Sequence, residues 1–117
     1  MERMKRRQDF VAAAKAFSQA MPSLIVQMRR RDDAAAPRMG FTCTKKLGNA
    51  VTRNRIKRRL KEAARLSTDK IALIGCDYVV IGRSAAENRP FEVLKTDLIS
   101  AMTRLHAKAS AVETRTL

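Results

Sequence analysis

The chain has 117 residues, 45% of them hydrophobic, which suits one folded domain. Its 25 Lys and Arg against 11 Asp and Glu give a net charge of +14, which indicates a polyanionic partner. No apolar run is long enough to cross a bilayer, and Cys43 and Cys76 are too few and too widely spaced for a disulfide framework. We therefore expect a cytoplasmic protein with reduced, buried thiols and no membrane partner.

The chain begins with a pattern typical of an amphipathic helix. Phe10, Ala14 and Phe17 recur at i, i+4 and i+7, with Ala and Lys between them. This spacing predicts a helix over 8–20 that ends before Pro22.

Two strands are predicted next. Residues 23–30 alternate between two sets of different polarity, which is typical of a strand, and 38–44 predict a second strand. The segment 31–37 is rich in Asp, Ala and Pro and predicts an exposed turn, so a hairpin is the simplest connection. Two adjacent carboxylates, Asp32 and Asp33, have no further partners in sequence, and we assign them no metal site.

A basic helix is predicted over 49–66. Gly48 and Asn49 interrupt the strand pattern, and Asn49 is a suitable N-cap. At 100° per residue one narrow stripe is apolar and the remainder is mostly Arg and Lys. We predict that the stripe packs on the core: Ile56, Leu60, Ala63 and Ala64.

The last third of the chain predicts a buried strand and a final helix. Residues 77–83 contain a nearly continuous apolar run, typical of the central strand of a sheet. Pro90 suits the first turn of a helix whose apolar residues recur at intervals of three and four: Phe91, Leu94, Leu98, Met102 and Leu105. We see no internal domain boundary, and we expect one domain over 1–117 with flexible ends at 1–7 and 109–117.

More than half of the net charge lies in one segment. Residues 45–65 hold nine basic residues and one acid, a net charge of +8. Like charges at helical spacing repel one another, so a purely structural role would be costly unless a polyanion neutralised them. Arg dominates, and its planar guanidinium suits phosphate oxygens and stacks on bases. We therefore expect nucleic acid, although charge alone does not separate RNA from DNA.

The same segment resembles the signature of the bacterial ribonuclease P protein subunit. The likeness runs from Thr44 to Leu60 and includes the Arg-Asn-Arg core at Arg53, Asn54 and Arg55. Flanking pieces are similar as well, so the resemblance covers most of the chain. One departure is Ala14, where this family usually carries a second aromatic residue on the first helix.

The resemblance implies an α+β fold, described as a two-layer α/β sandwich. It implies a mixed sheet of about four strands, elements in the order αβββαβα, and a left-handed βαβ crossover through the basic helix. Such a crossover would break the usual right-handed preference.

The resemblance also implies a function. The chain would be the accessory protein of a ribonucleoprotein endonuclease that removes 5′ leaders from precursor tRNA, with catalysis and Mg²⁺ supplied mainly through the RNA. Its partners would be the catalytic RNA subunit and precursor tRNA, with no obligate protein partner. We expect no catalytic side chain and no protein metal site, since His106 is the only histidine and is expected at the surface. The alternative is a general or ribosomal RNA-binding protein without a role in cleavage.

Two sets of site residues follow from the resemblance. The set expected to bind the RNA subunit is Lys45, Lys46, Asn49, Arg53, Asn54, Arg55, Lys57, Arg58, Arg59 and Lys61. The set expected to line a cleft for the single-stranded leader is Phe10, Lys15, Val26 and Met28. Core packing is the competing interpretation for Phe10, Val26 and Met28, because apolar residues at regular spacing ordinarily face the core. The basic residues at 3–7 either guide the leader or form a flexible arm.

Overall fold

The computed structural model describes the backbone of residues 1–116 and the side chains of residues 1–113. Its strands and helices, in chain order, are β1 (Glu2–Arg3), α1 (Arg7–Ala14), β2 (Phe17–Ala20), β3 (Leu24–Arg30), β4 (Arg38–Thr42), α2 (Ala50–Ser67), β5 (Cys76–Gly82) and α3 (Phe91–Thr116). Short 3₁₀ turns lie at Lys45–Leu47 and Ser84–Glu87. Within residues 1–116, no helix combines the length and apolar character that a membrane span requires.

The five strands form one mixed sheet in the order β1-β4-β5-β3-β2. This confirms the α+β class, with five strands instead of about four because β1 precedes α1. It also confirms β5 as the central strand, antiparallel to β3 and parallel to β4. The connection β4–α2–β5 joins adjacent parallel strands, as the resemblance implied, and its left-handedness stays a prediction.

The predicted ends of the chain fall partly on regular structure. β1 lies within 1–7, and α3 continues through Thr116. Leu117 lies outside the described residues. The flexibility of these two ranges stays a prediction.

The predicted hairpin between β3 and β4 is wrong. β5 lies between these two strands, so the loop 31–37 crosses the start of β5. Arg31 holds this loop: its guanidinium donates to the Ala36 carbonyl at 2.9 Å, to the Asp33 carboxylate at 3.1 Å and to the Asp77 carboxylate. A central strand needs a neighbour on each side, and this requirement outweighs the simpler local pairing.

The predicted helix over 8–20 is too long. α1 ends at Ala14, and Phe17–Ala20 instead forms a strand paired antiparallel with β3. The Met21 N–H donates to the Leu24 carbonyl at 2.8 Å and closes the turn between these strands. Long-range pairing with β3 therefore overrides the local helical spacing.

The sheet has helices on both faces. α2 and α3 cover one face, where the main core includes Val26, Tyr78 and Leu98. α1 covers part of the opposite face, where Ala13 packs on Val79. The two-layer description therefore holds only where α1 is absent. On α2, the buried residues are the predicted Ile56, Leu60, Ala63 and Ala64.

An ion-pair network fixes α1 to the sheet. Arg29 on β3, Asp77 on β5 and Arg38 on β4 lie side by side in register. Arg38 binds the fully buried Asp77 carboxylate through two hydrogen bonds of 2.8 Å, and Asp9 of α1 lies 3.3 Å from Arg29 and 3.4 Å from Arg38. Burial raises the pKa of Asp77, but the hydrogen bonds from Arg38 and Arg31 outweigh it and hold the pKa below its usual range.

A second buried polar contact links β5 to α3. The Tyr78 hydroxyl lies 2.7 Å from His106 Nε2 and accepts a hydrogen bond of 3.0 Å from the Leu73 N–H. Which of the two atoms donates in the contact between Tyr78 and His106 depends on the tautomer of the imidazole. His106 is half-buried, so the expectation of a surface histidine is wrong. Burial lowers its pKa, and the charge of Arg30 adds to this.

We predict that Asp77→Asn strongly destabilises the fold. The substitution leaves Arg29, Arg31 and Arg38 clustered without their shared buried carboxylate, a change that costs about 3–5 kcal/mol. The free energy of unfolding in urea measures it. Asp33→Asn is the matched control, because Asp33 is exposed, and little change is expected. If the free energy of unfolding falls no more for Asp77→Asn than for Asp33→Asn, the network does not anchor the fold.

Acidification should weaken the fold through His106. Because its pKa is lower in the folded protein than the usual 6.5, the folded state binds fewer protons, and stability is full above that pH and falls below it. Urea midpoints measured from pH 7.5 down to pH 5 test this. His106→Gln, which keeps a neutral side chain able to hydrogen-bond to Tyr78, should flatten that part of the profile; an unchanged profile would exclude His106 as its source.

Candidate nucleic-acid interface

The start of α2 is built as the sequence predicts. Gly48 has a φ of +129°, a conformation that favours glycine, and the Asn49 Oδ1 accepts a hydrogen bond of 2.9 Å from the Thr52 N–H. Asn49 is therefore the N-cap, as expected. Its side-chain oxygen is occupied by the cap. Asn54, one turn further along α2, is exposed.

Most of the cations on and before α2 have no acidic partner. Three basic residues of this segment are held: Arg55 lies 3.5 Å from Glu87, Arg65 pairs with Glu62, and Arg59 bonds to backbone carbonyls. No ion pair within the described part of the chain involves the others. We define the basic surface as Lys45, Lys46, Arg53, Arg55, Lys57, Arg58 and Lys61.

Arg59 has a structural role within the protein. Its guanidinium donates to the Glu87 carbonyl at 3.1 Å and to the carbonyls of Ala86 and Arg89. These bonds tie α2 to the segment before α3. Three of its five N–H donors are used in this way, and the binding of RNA by Arg59 stays a prediction.

Two cations lie against the end of β4. Burial raises the pKa of the half-buried Cys43 thiol, while the charges of Lys57 and Arg53 act in the opposite direction. The Arg53 Nε is buried and has no hydrogen-bond partner among the described residues.

The sheet face under α1 consists of three rows across β3, β5 and β4. In register, these rows are Arg29–Asp77–Arg38, Gln27–Val79–Gly40 and Ile25–Ile81–Thr42. α1 covers the first row through Asp9 and the second through Phe10 and Ala13. The third row stays half-exposed beyond the end of α1. We call Ile25, Gln27, Thr42 and Ile81 the cleft floor.

Val26 and Met28 do not line this cleft, which corrects the prediction. Both are fully buried in the main core, on the face covered by α2 and α3. Successive strand residues face opposite sides, so the cleft takes the other set, represented by Ile25 and Gln27. The alternation in polarity carried this signal, because the more polar set of a half-exposed strand faces solvent.

Phe10 and Lys15 flank the cleft in different ways. Phe10 is half-buried over Gly40, where a Cβ would come within 2.5 Å of its ring. Only glycine allows this close approach. Lys15 is exposed at the C-cap of α1, and Ala14 beside it is exposed as well.

The basic surface and the cleft floor meet at one end of the sheet. β4 ends at Thr42, in the third row, and the next residues lead directly to Lys45 and Lys46. Both lysines are exposed. A strand of nucleic acid lying on the cleft floor would therefore pass these two cations.

Potential catalytic groups elsewhere are engaged. His106 is bonded to Tyr78, and the carboxylates of Asp9 and Asp77 are bound by arginines. Cys43 and Cys76 are free thiols, half-buried and buried. Among the described side chains, no three His, Cys, Asp or Glu residues are grouped as the ligands of a metal ion would be.

Comparisons with known proteins agree with this architecture. The family model for ribonuclease P matches residues 1–106. The ribonuclease P protein component of Ruegeria pomeroyi is 51% identical over 107 residues, covering 89% of this chain and 86% of the relative. That of Caulobacter vibrioides is 46% identical, covering 91% and 72%.

Solved structures give the same result. The Staphylococcus aureus ribonuclease P protein superposes with a TM-score of 0.72 at 29% identity, covering 88% of this chain and 94% of that one. The Thermotoga maritima protein gives 0.73 at 26% identity, covering 89% and 97%. The chain thus belongs to the ribonuclease P protein family and is a protein subunit of that tRNA-processing endonuclease.

Proposed function

We propose that the chain uses two adjoining surfaces to bind two RNAs. The basic surface binds the catalytic RNA of ribonuclease P, and the cleft floor with Lys15 and Phe10 binds the single-stranded 5′ leader of precursor tRNA. The reaction is the removal of that leader in the cytoplasm. The observation that carries the proposal is the group of cations, most of them without acidic partners, that begins where the cleft floor ends.

The two surfaces have the chemistry for these tasks. Lysine and arginine side chains without acidic partners neutralise phosphates and release counterions, which favours binding to any folded RNA. The cleft floor is half-exposed and mixes apolar with polar side chains, which suits unstacked bases. The sequence has four Phe, one Tyr and no Trp, so phosphate contacts and shape contribute more than base readout.

We propose that the RNA carries out the chemistry with Mg²⁺ that it holds itself. The three buried carboxylates among the described residues support this division, because Asp9, Asp77 and Asp97 already have arginines on both oxygens. Oxygen ligands are what Mg²⁺ prefers, and the RNA has many. The contribution of this chain is to hold the leader and the RNA in place.

Reconstitution tests this function. A precursor tRNA with a 5′ leader is incubated with a bacterial ribonuclease P RNA at limiting Mg²⁺, with and without the protein. We expect correct 5′ cleavage only when both are present, and no cleavage by the protein alone. Tight RNA binding without any change in cleavage would instead identify a general RNA-binding protein.

Binding to the catalytic RNA should depend on salt through the basic surface. If about six phosphates are neutralised, the logarithm of the affinity should fall with the logarithm of salt with a slope of roughly −4 to −5. Arg58→Ala removes an exposed cation without an ion pair and should flatten this slope by about one. Arg65→Ala is the control, since Glu62 already neutralises that arginine. Equal slopes for the two variants would place Arg58 outside the interface.

An aromatic residue at position 14 should strengthen leader binding. Ala14 is exposed at the C-terminal end of α1, one turn after Phe10. A base stacked on the ring of the Ala14→Phe variant should raise the preference for precursor over mature tRNA about fivefold to tenfold. Gln8→Phe, exposed on the same helix six residues earlier, should leave it unchanged. An equal gain in this preference from both variants would show that an added aromatic ring binds RNA nonspecifically.

A further inference from the structure

β1 leaves part of the sheet edge uncovered. Its two residues pair only with Arg38 and Met39, whereas β4 continues to Thr42. Beyond the end of β1 lies a groove of about 210 Å³, bounded by β4, the ring of Phe10 and one side of α2. We call it the edge groove. It lies at the β4 edge of the sheet, whereas Ile25 of the cleft floor lies on β3.

The backbone of Phe41 faces the edge groove. The Met4 N–H donates to the Met39 carbonyl at 3.1 Å, so the polar groups of Met39 point to the β1 side of the strand. Polar groups of alternate residues in a strand point to the same side, and those of Phe41 therefore point there too. Because β1 has already ended, Phe41 presents one donor and one acceptor to the groove.

The side chains around the groove are aromatic and cationic. Phe41 and Phe10 are half-buried, so part of each ring is accessible. Arg3, Lys57 and Lys61 supply three positive charges, and no acidic residue lines the groove among the described side chains. None of these three cations takes part in an ion pair within the described residues.

The groove continues along β4 into a second hollow of about 270 Å³. The two share Arg3, Phe41 and Lys61, but the second is also lined by Glu2 and Asp69. The second hollow also has Arg65 and Met1 in its lining, but Arg65 pairs with Glu62 and the Met1 amine lies 4.0 Å from Asp69. The first hollow, with three cations and no acid among the described side chains that line it, is therefore the more favourable position for a phosphate.

We propose that the edge groove binds one unpaired nucleotide of RNA. The base stacks on the accessible face of Phe41 and its edge bonds to the Phe41 backbone, while Lys57 and Lys61 hold the phosphate. This combination of an aromatic ring, a backbone donor and acceptor, and cations is what an unstacked nucleotide needs. An added peptide strand would use the same backbone groups but would leave the three cations without a purpose.

This inference rests on the proposed function, because it assumes that the chain binds RNA. It adds a binding position outside the cleft floor and assigns a role to Phe41. The nucleotide has two alternative sources with the same chemistry, the catalytic RNA and the leader. The experiment separates them.

A single introduced tryptophan reports on the groove directly, since the sequence contains none. Phe41→Trp places the fluorophore in the groove, and Phe91→Trp, half-buried at the start of α3, is the control. On adding ribonuclease P RNA, we expect the emission of the Phe41→Trp variant to be quenched and shielded from acrylamide, while that of the Phe91→Trp variant is unaffected. A response only after precursor tRNA is added, and absent with mature tRNA, assigns the nucleotide to the leader.

Loss of the ring gives the second readout. Phe41→Leu keeps the apolar contact with the core but removes the stacking face, and should weaken binding of the RNA that supplies the nucleotide about tenfold. Phe91→Leu should bind as the unmodified protein does. If Phe41→Leu fails to fold, as judged by urea unfolding, the tryptophan measurement decides alone.

The outcomes separate this inference from the function it rests on. A Phe41→Trp holoenzyme that assembles and cleaves normally, with its indole still open to acrylamide, overturns the nucleotide site and leaves the proposed function intact. An indole in that variant that responds to an added protein but to neither RNA also overturns it. If the unmodified protein neither binds the catalytic RNA nor promotes cleavage, the proposed function itself fails.

Discussion

The carboxylate of Asp77 is the centre of the ion-pair network that determines where α1 covers its face of the sheet and where that face is open. It is fully buried at the start of the central strand, where Arg29 and Arg38 meet it from the neighbouring strands. The excess positive charge of this row attracts Asp9, which draws α1 to one end of the sheet. An eight-residue helix anchored there spans about 12 Å, so it cannot cover the third row. The cleft floor is therefore exposed because the ion pairs of Asp9 and Asp77 hold α1 at the other end of the three rows.

The same chain must stabilise a fold while carrying a large unbalanced charge. α2 resolves this by dividing its surface between a narrow apolar stripe on the core and cations on the remainder. Arg59 and Arg65 are bound or neutralised within the protein, whereas Lys57, Arg58 and Lys61 form no ion pair within the described residues. The like charges that repel one another lie on the exposed side of α2, and a bound polyanion would neutralise them. In the function that we propose, affinity for RNA and stability of α2 depend on the same side chains.

Local patterns in the sequence were sufficient where one element satisfies its own periodicity. α2, its Asn49 cap and its buried stripe were predicted closely, and so was the central position of β5. The failures concern pairing between distant residues. Phe17 fits a helical spacing with Phe10, but β3 recruits it into a strand. β3 and β4 look like a hairpin, yet a central strand buried on both faces must enter between them. The continuous apolar run of β5 already indicated a central strand. Placing that strand between β3 and β4 would have excluded the predicted hairpin.

The candidate site also has parts that the local sequence predicts and parts that depend on tertiary structure. Cations of the basic surface are recognisable from composition, because density and the lack of acids do not depend on tertiary structure. The cleft required knowing which face of β3 α1 covers, and the two alternating sets could be told apart only by polarity: Val26 and Met28 are apolar throughout, whereas Gln27 and Arg29 are not. The edge groove was beyond any local pattern, because it exists only where a two-residue strand ends before its five-residue partner. A longer β1 would satisfy the backbone of Phe41 within the sheet and close the groove. The shortness of β1 therefore leaves backbone hydrogen-bonding groups beside the cations of α2, where a nucleotide can use both.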